Sequence, residues 1–416
     1  MGIFRQLSRE ADEGVAKSGV TIGDRFRLSR MRHLCRLAGL SWGLAMLGVF
    51  AVAGTCPVSE LPVPTGSFAI GSTVLPPEAF ASAMKPSRLQ VQLWYPAKKS
   101  ARGSAAPYIP DSMLKLMREQ KYYDQPDCVY DAWGRMSTHA LLDVPASPEH
   151  MFPLILFLPG EGVSRSSYAS LAEQFASDGN IVATIDFVHD GFMIPVDDTP
   201  DAGSEADAAV AVKEWAQDAS GFLDKLLTSE AAYKLPQNLW SHIDHKQIAA
   251  VGHSLGGAAA LQVCQADSRV RACVDMDGTV FGEVAEKGLR AGALVLLSHV
   301  DHTDAELKAR GRSREQLEAM GKQRTAEWQR VLAPVGGAVW VMKVQGTGHF
   351  SFTDGPLTMP DTITRFGGTV IDARRGLAVI TGTVELYLKS VFVPGVAFDL
   401  AQYPEVTVSL SRTEKK

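Results

Sequence analysis

Hydrophobic residues are distributed along this chain in two distinct ways. From Arg88 to Tyr95 they alternate, with Leu89, Val91, Leu93 and Tyr95 on one side and Arg88, Gln90 and Gln92 on the other. A period of two predicts a half-exposed strand near a sheet edge. Further on, the apolar runs are continuous: LILFL at 154–158, IVATID at 181–186, IAAV at 248–251, ACVDM at 272–276, ALVLLS at 293–298 and AVWVMKV at 338–344. Unbroken runs of this length suit parallel strands covered on both faces. Between them the period changes; over 205–227, Val212, Trp215, Ala219, Phe222 and Leu226 recur at steps of three and four and form one buried helical stripe. Helices are also expected over 304–332 and over 376–392, the latter closing the chain. Strands that alternate with helices predict an α/β fold, a mostly parallel central sheet flanked by helices.

The N-terminal pattern is different again. Residues 37–54, LAGLSWGLAMLGVFAVAG, carry no charge, follow Arg25, Arg27, Arg30, Arg32 and Arg36, and end in Ala51-Val52-Ala53. A basic flank, an apolar run and a small-residue end describe an export signal or, uncleaved, a membrane anchor. The expected organisation is a targeting segment at 1–54, a linker at 55–65 around LPVPTG, and one catalytic domain at 66–416 that lies outside the cytoplasm, periplasmic or secreted. A start at Met31 would give a more ordinary signal. Cys56 is a candidate lipid acceptor, although Thr55 before it departs from the small residue such sites prefer.

Composition narrows the function. With 46% hydrophobic and 21% charged residues among 416, the chain can bury a sizeable core. Removing 1–54, which holds eight Lys/Arg and four Asp/Glu, leaves 33 basic against 42 acidic residues and a net charge of −9. An acidic body argues against a nucleic-acid partner, which would need clustered Lys and Arg. Five cysteines without CxxC spacing make no disulfide framework; Cys128, Cys264 and Cys273 permit at most one bridge and are expected as small buried thiols.

The chemistry is concentrated after IAAV, where Gly252-His253-Ser254-Leu255-Gly256-Gly257 runs straight into AAALQVC. Strand, G-x-S-x-G, helix is the context of a nucleophile elbow, in which small neighbours allow a tight turn to present a serine hydroxyl. A hydroxyl is a poor nucleophile near neutral pH, so a base must reach it, and in the α/β-hydrolase arrangement that base comes last in the chain. His349, just past the final expected strand in QGTGHFSF, fits; His253 is expected to pack, and Asp275 to be a structural strand residue. Two residues at strand ends can serve as the acid, Asp277 and Asp301. His299, Asp301, His302 and Asp304 also resemble a metal cluster, but the spacing fits a solvated loop better. Acyl transfer by such a triad requires no metal or organic cofactor.

GHSLGGAAA, VDMDGTVFG and GTGHFSFTD, in that order and with VQLWYPA at 91–97, LFLPGEG at 156–162 and IDHKQIAAVGHS, resemble the plasma-type (isoform II) platelet-activating-factor acetylhydrolases and their bacterial relatives. The likeness extends over most of the chain from about Pro64. It implies Asp277 as the acid, since the family's acid follows the strand after the nucleophile helix. It also implies an oxyanion hole from the backbone N–H groups of Leu255 and Glu161. Relatives carry His-Gly-x-Gly where this chain has Pro159-Gly160-Glu161-Gly162, which puts a carboxylate near the pocket, a poor match to anionic substrates. The expected substrate is a small-molecule or lipid ester with a short acyl group, acetylated phospholipids included. The segment 100–150, with YIPDSMLKLMREQKYYDQPD, is expected to be a helical insertion over the pocket. A generic carboxylesterase, lipase or polyester hydrolase using Asp301, and a non-catalytic binding protein on the same fold, are the competing readings.

Overall fold

The computed structural model describes residues 56, 58–76, 89–187, 205–228, 233–309, 311–365 and 370–412. The targeting segment expected at 1–54 lies outside them; among the described residues no helix is long and apolar enough to cross a membrane.

Among the described residues eleven strands form one sheet: β1 (Ala69–Val74), β2 (Leu89–Ala97), β3 (Ala105–Pro107), β4 (Ser137–Leu142), β5 (Phe152–Leu158), β6 (Ile181–Phe187), β7 (Ile243–His253), β8 (Val270–Met276), β9 (Gly292–His299), β10 (Val339–Gln345) and β11 (Val406–Arg412). Their spatial order is β11-β10-β9-β8-β7-β5-β6-β2-β1-β4-β3, and β5 to β10 pair in parallel, as the continuous apolar runs require. Seven longer helices cover the sheet: α1 (Asp111–Glu119), α2 (Asp127–Arg135), α3 (Ala169–Ser177), α4 (Glu205–Thr228), α5 (Leu255–Ala266), α6 (Arg314–Leu332) and α7 (Ala373–Phe392). Side chains alternate between two cores. Leu154, Leu156 and Leu158 of β5 pack with α4, α5 and the end of α6. Ile155 and Phe157 pack on the other face with α3, α7 and the α1–α2 region.

Several elements differ from the sequence pattern. β2 is not half-exposed: it lies between β1 and β6 and is buried almost throughout. Its polar side is covered because its amides have partners, Gln92 donating to Ser72 Oγ at 2.9 Å and Gln90 accepting from Arg165 at 3.3 Å. Buried polar groups so paired read in sequence like solvated ones. The helix expected over 304–332 divides into Asp304–Ala309 and α6, because Ser313 and Gln316 form a capping box that starts a new helix. Nor does α7 close the chain; β11 returns antiparallel to β10. The Pro-rich stretch expected as a linker is docked on the domain. Leu61 is buried, Ser59 donates to the Leu357 carbonyl at 2.8 Å, and the Thr65 and Gly66 amides donate to Gln174 and Ser177 of α3. Cys264 and Cys273 are bonded to each other, contrary to the expected free thiols, because α5 ends beside β8 with the two Cα atoms 6.2 Å apart. Cys128 is exposed and Cys56 half-buried.

The packing is very close where α5 meets the end of β5. A Cβ on Gly256 would sit 2.2 Å from the carbonyl oxygens of Leu158 and Pro159, rigid backbone on both counts. Gly256→Ala is therefore expected to destabilise the protein by about 3 kcal/mol or more, the upper end of overpacking costs. An unchanged urea midpoint in this variant would show that α5 can back away from β5.

Candidate active site

Ser254 stands where β7 gives way to α5, beside the end of β8 and the loop after β5. The residue joins β7 to α5 with φ 56° and ψ −124°, a backbone conformation that side chains other than glycine rarely adopt. Its amide donates to the Met276 carbonyl at 2.9 Å, which ties the turn to the end of β8, and its side chain is partly open to solvent.

His349 arrives from the far side. After β10 the chain turns at Gly346, whose amide donates to the His299 carbonyl at 2.8 Å, and a 3₁₀ turn over His349–Phe352 presents the imidazole. Nε2 of His349 accepts from Ser254 Oγ at 3.0 Å, and Nδ1–H donates to Asp277 Oδ2 at 2.7 Å. Asp277 sits just past β8, also at positive φ, 55°, with its amide on the Leu296 carbonyl of β9. Its carboxylate accepts further bonds from Ser298 N–H at 2.9 Å and Ser298 Oγ–H at 2.8 Å, and the Arg324 guanidinium of α6 stands 3.6 Å away. Burial alone would raise this carboxyl. The His349 bond, Arg324 and the Ser298 amide overcome it and hold Asp277 far below the usual carboxylate range, so it stays ionised.

Asp275, two residues earlier, shows the opposite balance. It is fully buried, accepts from the Gly278 amide at 2.6 Å, and burial pushes it up to about 8. It is a neutral brace under the Asp277 turn. Asp301, the other candidate acid, is an exposed carboxylate that engages His299 at 3.1 Å and not His349. Asp304 pairs instead with Arg314, and among the described residues no three His, Cys, Asp or Glu side chains converge as a metal site.

The two backbone donors named from the family likeness flank the serine. Leu255 opens α5, where the first amides of a helix have no partner within it. Glu161 lies in the loop that follows β5, and the register of Leu158 with Gly252 sets that loop beside the serine turn. A Cβ added to Gly160 would lie 3.2 Å from Ser254 Cβ, so the loop is in contact with the nucleophile's turn.

His253 does more than pack. It is inaccessible to solvent; its Nε2–H donates to the His349 carbonyl at 2.9 Å and its Nδ1 accepts from Tyr168 Oη–H at 2.8 Å. Tyr168 Oη accepts in turn from the Gly160 amide at 2.9 Å. One satisfied line of hydrogen bonds thus joins the loop after β5 to the loop of His349, and it works only for a neutral imidazole with its proton on Nε2. Tyr168, Ser298 and Arg324 belong to this site, yet no motif marks them in the sequence. The expected insertion does border it: the Tyr123 ring meets Phe350 edge-on at 6.5 Å, and Trp133 donates to the Thr358 carbonyl at 3.1 Å.

A parallel sheet, a strained serine between strand and helix, and a histidine and an acid from later strand ends define the class as an α/β hydrolase. The Alpha/beta hydrolase family pattern matches residues 155–386, and the chain belongs to that family. Within it the likeness is to platelet-activating factor acetylhydrolase, isoform II, whose pattern matches residues 53–225. A probable 1-alkyl-2-acetylglycerophosphocholine esterase of Arthroderma benhamiae is 26% identical over 58% of this chain and 64% of its own length. The platelet-activating factor acetylhydrolase of Canis lupus familiaris is 25% identical over 59% of this chain and 61% of its own. The chain thus spans somewhat less than two thirds of these curated relatives. Among solved structures, a ferulic acid esterase from Streptomyces cinnamoneus superposes with a TM-score of 0.63 and 25% identity, covering 85% of this chain and 99% of the esterase.

Burial, aided by the neighbouring His349 ring, pushes the His253 imidazole down to about 3. Unfolding restores an ordinary value near 6.5. The unfolded chain therefore binds a proton that the folded one refuses. The resulting stability is complete above pH 6.5 and is lost as pH falls toward 3, at roughly 1.4 kcal/mol per pH unit for this one proton. Nitrogen-15 NMR of the histidine rings is expected to find His253 neutral, protonated on Nε2, from pH 8 down to 4. A midpoint near 6.5 would contradict this line of hydrogen bonds.

Proposed function

We propose that this protein is a serine carboxylic-ester hydrolase with Ser254 as nucleophile, His349 as general base and Asp277 as the acid that orients it. The observation that carries the reading is the unbroken hydrogen-bond line from Ser254 Oγ through His349 to Asp277, at 3.0 and 2.7 Å, on a partly open serine.

As Ser254 Oγ attacks the ester carbonyl, its proton passes to His349 Nε2, and Asp277, kept ionised, stabilises the imidazolium. The Leu255 and Glu161 amides receive the negative charge that develops on the carbonyl oxygen, assisted by the positive end of α5. Collapse of the tetrahedral adduct breaks the C–O bond, and the departing alkoxide takes the proton from His349. Water, deprotonated by the same imidazole, then attacks the acyl-enzyme, and the carboxylic acid leaves as Ser254 regains its proton.

The likeness to the acetylhydrolases supports short acyl groups, with 1-alkyl-2-acetylglycerophosphocholine as one substrate of that class. The half-buried Glu161 at the serine turn favours neutral or cationic substrates over anionic ones. The export pattern of 1–54 supports a site of action outside the cytoplasm, with membrane attachment through that segment if it is retained.

Asp277→Asn is expected to lower kcat by ~10⁴-fold, since the amide favours the wrong imidazole tautomer, while Asp301→Asn leaves kcat within about twofold. Near-normal turnover by Asp277→Asn would assign the acid elsewhere. Esters with acyl chains of about two to twelve carbons, a feruloyl ester and an acetylated ether phospholipid form the substrate panel. The acetyl and butyryl esters are expected to exceed the longest chains by at least ~10-fold in kcat/KM. A preference for long or aromatic acyl groups would replace the acetylhydrolase-like reading with a lipase-like or feruloyl-esterase-like one.

A further inference from the structure

The insertion between β2 and β5 places two adjacent tyrosine hydroxyls on one carbonyl. Tyr122 Oη donates to the Gly162 oxygen at 3.0 Å and Tyr123 Oη to the same oxygen at 2.9 Å. Tyr122 Oη also accepts from the Ser164 amide at 3.2 Å. A carbonyl with both lone pairs occupied by side chains from a remote segment is fixed far more firmly than a loop carbonyl facing water.

Gly162 belongs to the turn that carries Glu161. Val163 N–H donates to the Gly160 carbonyl at 3.1 Å, which closes a four-residue turn over Gly160–Val163, and Gly162 takes φ 69° as its third residue. Such a turn can flip its peptides at modest cost unless its ends are held. Here the first amide, Gly160 N–H, is on Tyr168, and the far carbonyl, Gly162, is on the tyrosine pair. The direction of Glu161 N–H, between those two anchors, depends on both.

The tyrosine segment is itself held against its preferences. Lys121, Tyr123 and Asp124 all take positive φ, 51°, 55° and 48°. Gln125 stabilises the segment by donating to the Tyr123 carbonyl at 2.7 Å and to Thr362 Oγ1 at 2.6 Å, and Tyr130 Oη donates to the Tyr122 carbonyl at 2.9 Å. Three disfavoured residues in four persist only where the surroundings over-determine them, and such strain gathers at functional sites.

We propose that Tyr122 and Tyr123 are positioning residues for the oxyanion donor: they lock the Gly160–Val163 turn so that Glu161 N–H faces the carbonyl under attack by Ser254. The inference rests on the hydrolase reading and deepens it, because it makes the insertion part of the machinery that stabilises the transition state.

The test uses the full chain with Tyr122→Phe, Tyr123→Phe and the double variant. It measures kcat, KM, and the affinity of a trifluoromethyl ketone, whose adduct with serine is an oxyanion, against that of the matching methyl ketone. The double variant is expected to lose ~10²-fold in kcat, comparable to the removal of one oxyanion donor, with KM within about twofold. Trifluoromethyl ketone affinity falls in parallel with kcat and methyl ketone affinity does not. Variants that keep kcat and ketone affinity but melt earlier overturn the proposal and make the tyrosines structural only. Should Tyr122→Phe fold poorly for lack of the Ser164 bond, the half-buried Tyr123 decides the matter alone, with an expected ~10-fold loss, the smaller part of a full donor's effect. Labelling of the wild-type chain by a fluorophosphonate separates the two readings. Without labelling or turnover the hydrolase assignment fails and this inference with it; with labelling, unaffected phenylalanine variants overturn this inference only.

Discussion

Ser254 is held in a conformation that its backbone would leave if it could, and the packing of α5 against β5 prevents it. At Gly256 the helix lies in contact with the carbonyls of Leu158 and Pro159, leaving no room for any Cβ. With the helix fixed there, the chain can pass from β7 into α5 only through the tight turn at Ser254. The same contact brings the loop after β5 beside the serine, and the bond from the Ser254 amide to Met276 fixes the end of β8. Ser254 and Asp277 therefore enter from the ends of β7 and β8, which this one approach aligns. The arrangement holds the hydroxyl outward without a contribution from the hydroxyl itself, so strain in the turn is balanced by core packing and not by the chemistry.

The polar groups around the turn show how finely burial and attraction are balanced. Asp275 and Asp277 are two residues apart and both buried, yet burial wins at the first and paired charge at the second. What separates them is partners: one amide donor for Asp275, against an imidazole, an amide, a hydroxyl and a guanidinium for Asp277. The result is one negative charge where an imidazolium would form and a neutral carboxyl where a second charge would compete for it. His253 completes the division. Kept neutral by burial, it adds no positive charge beside His349 while its two nitrogens connect the flanking loops. A charged imidazole there would lose its bond from Tyr168 and stand 4.7 Å, ring to ring, from His349.

The fold's central strands and the serine turn were legible because each follows from a local rule. Continuous apolar runs of β5 to β10 mark strands buried on both faces, and G-x-S-x-G between a strand and small helix formers marks the turn. The choice between Asp277 and Asp301 was not legible from residue types, since both follow apolar strands. It depended on a family likeness and, in three dimensions, on which strand end faces His349. Tyr168, Ser298 and Arg324 escaped because their roles come from tertiary approach: nothing in LLSH distinguishes a serine that holds a carboxylate from one that faces water. The polar side of β2 and the prolines near Leu61 misled for a related reason. Gln92 and the 59–66 backbone find partners inside the protein, and a sequence pattern cannot tell an internal partner from solvent. The bond between Cys264 and Cys273 was equally hidden, because it depends on α5 reversing beside β8.

The position of the insertion bears on how such a site can vary. Its tyrosines engage the loop after β5, while Gln125 and Trp133 engage the segment after His349 through Thr362 and Thr358. A segment of this kind is the natural place to change pocket shape, since it lies outside the parallel core and tolerates different lengths. If the tyrosine pair positions the Glu161 amide as proposed, that freedom is limited, because a shift of the insertion would also move the Gly162 carbonyl. Binding and turnover would then change together. A substrate that fits the insertion poorly would lose stabilisation of the transition state as well as contact in the ground state, which is how discrimination appears in kcat and not only in KM.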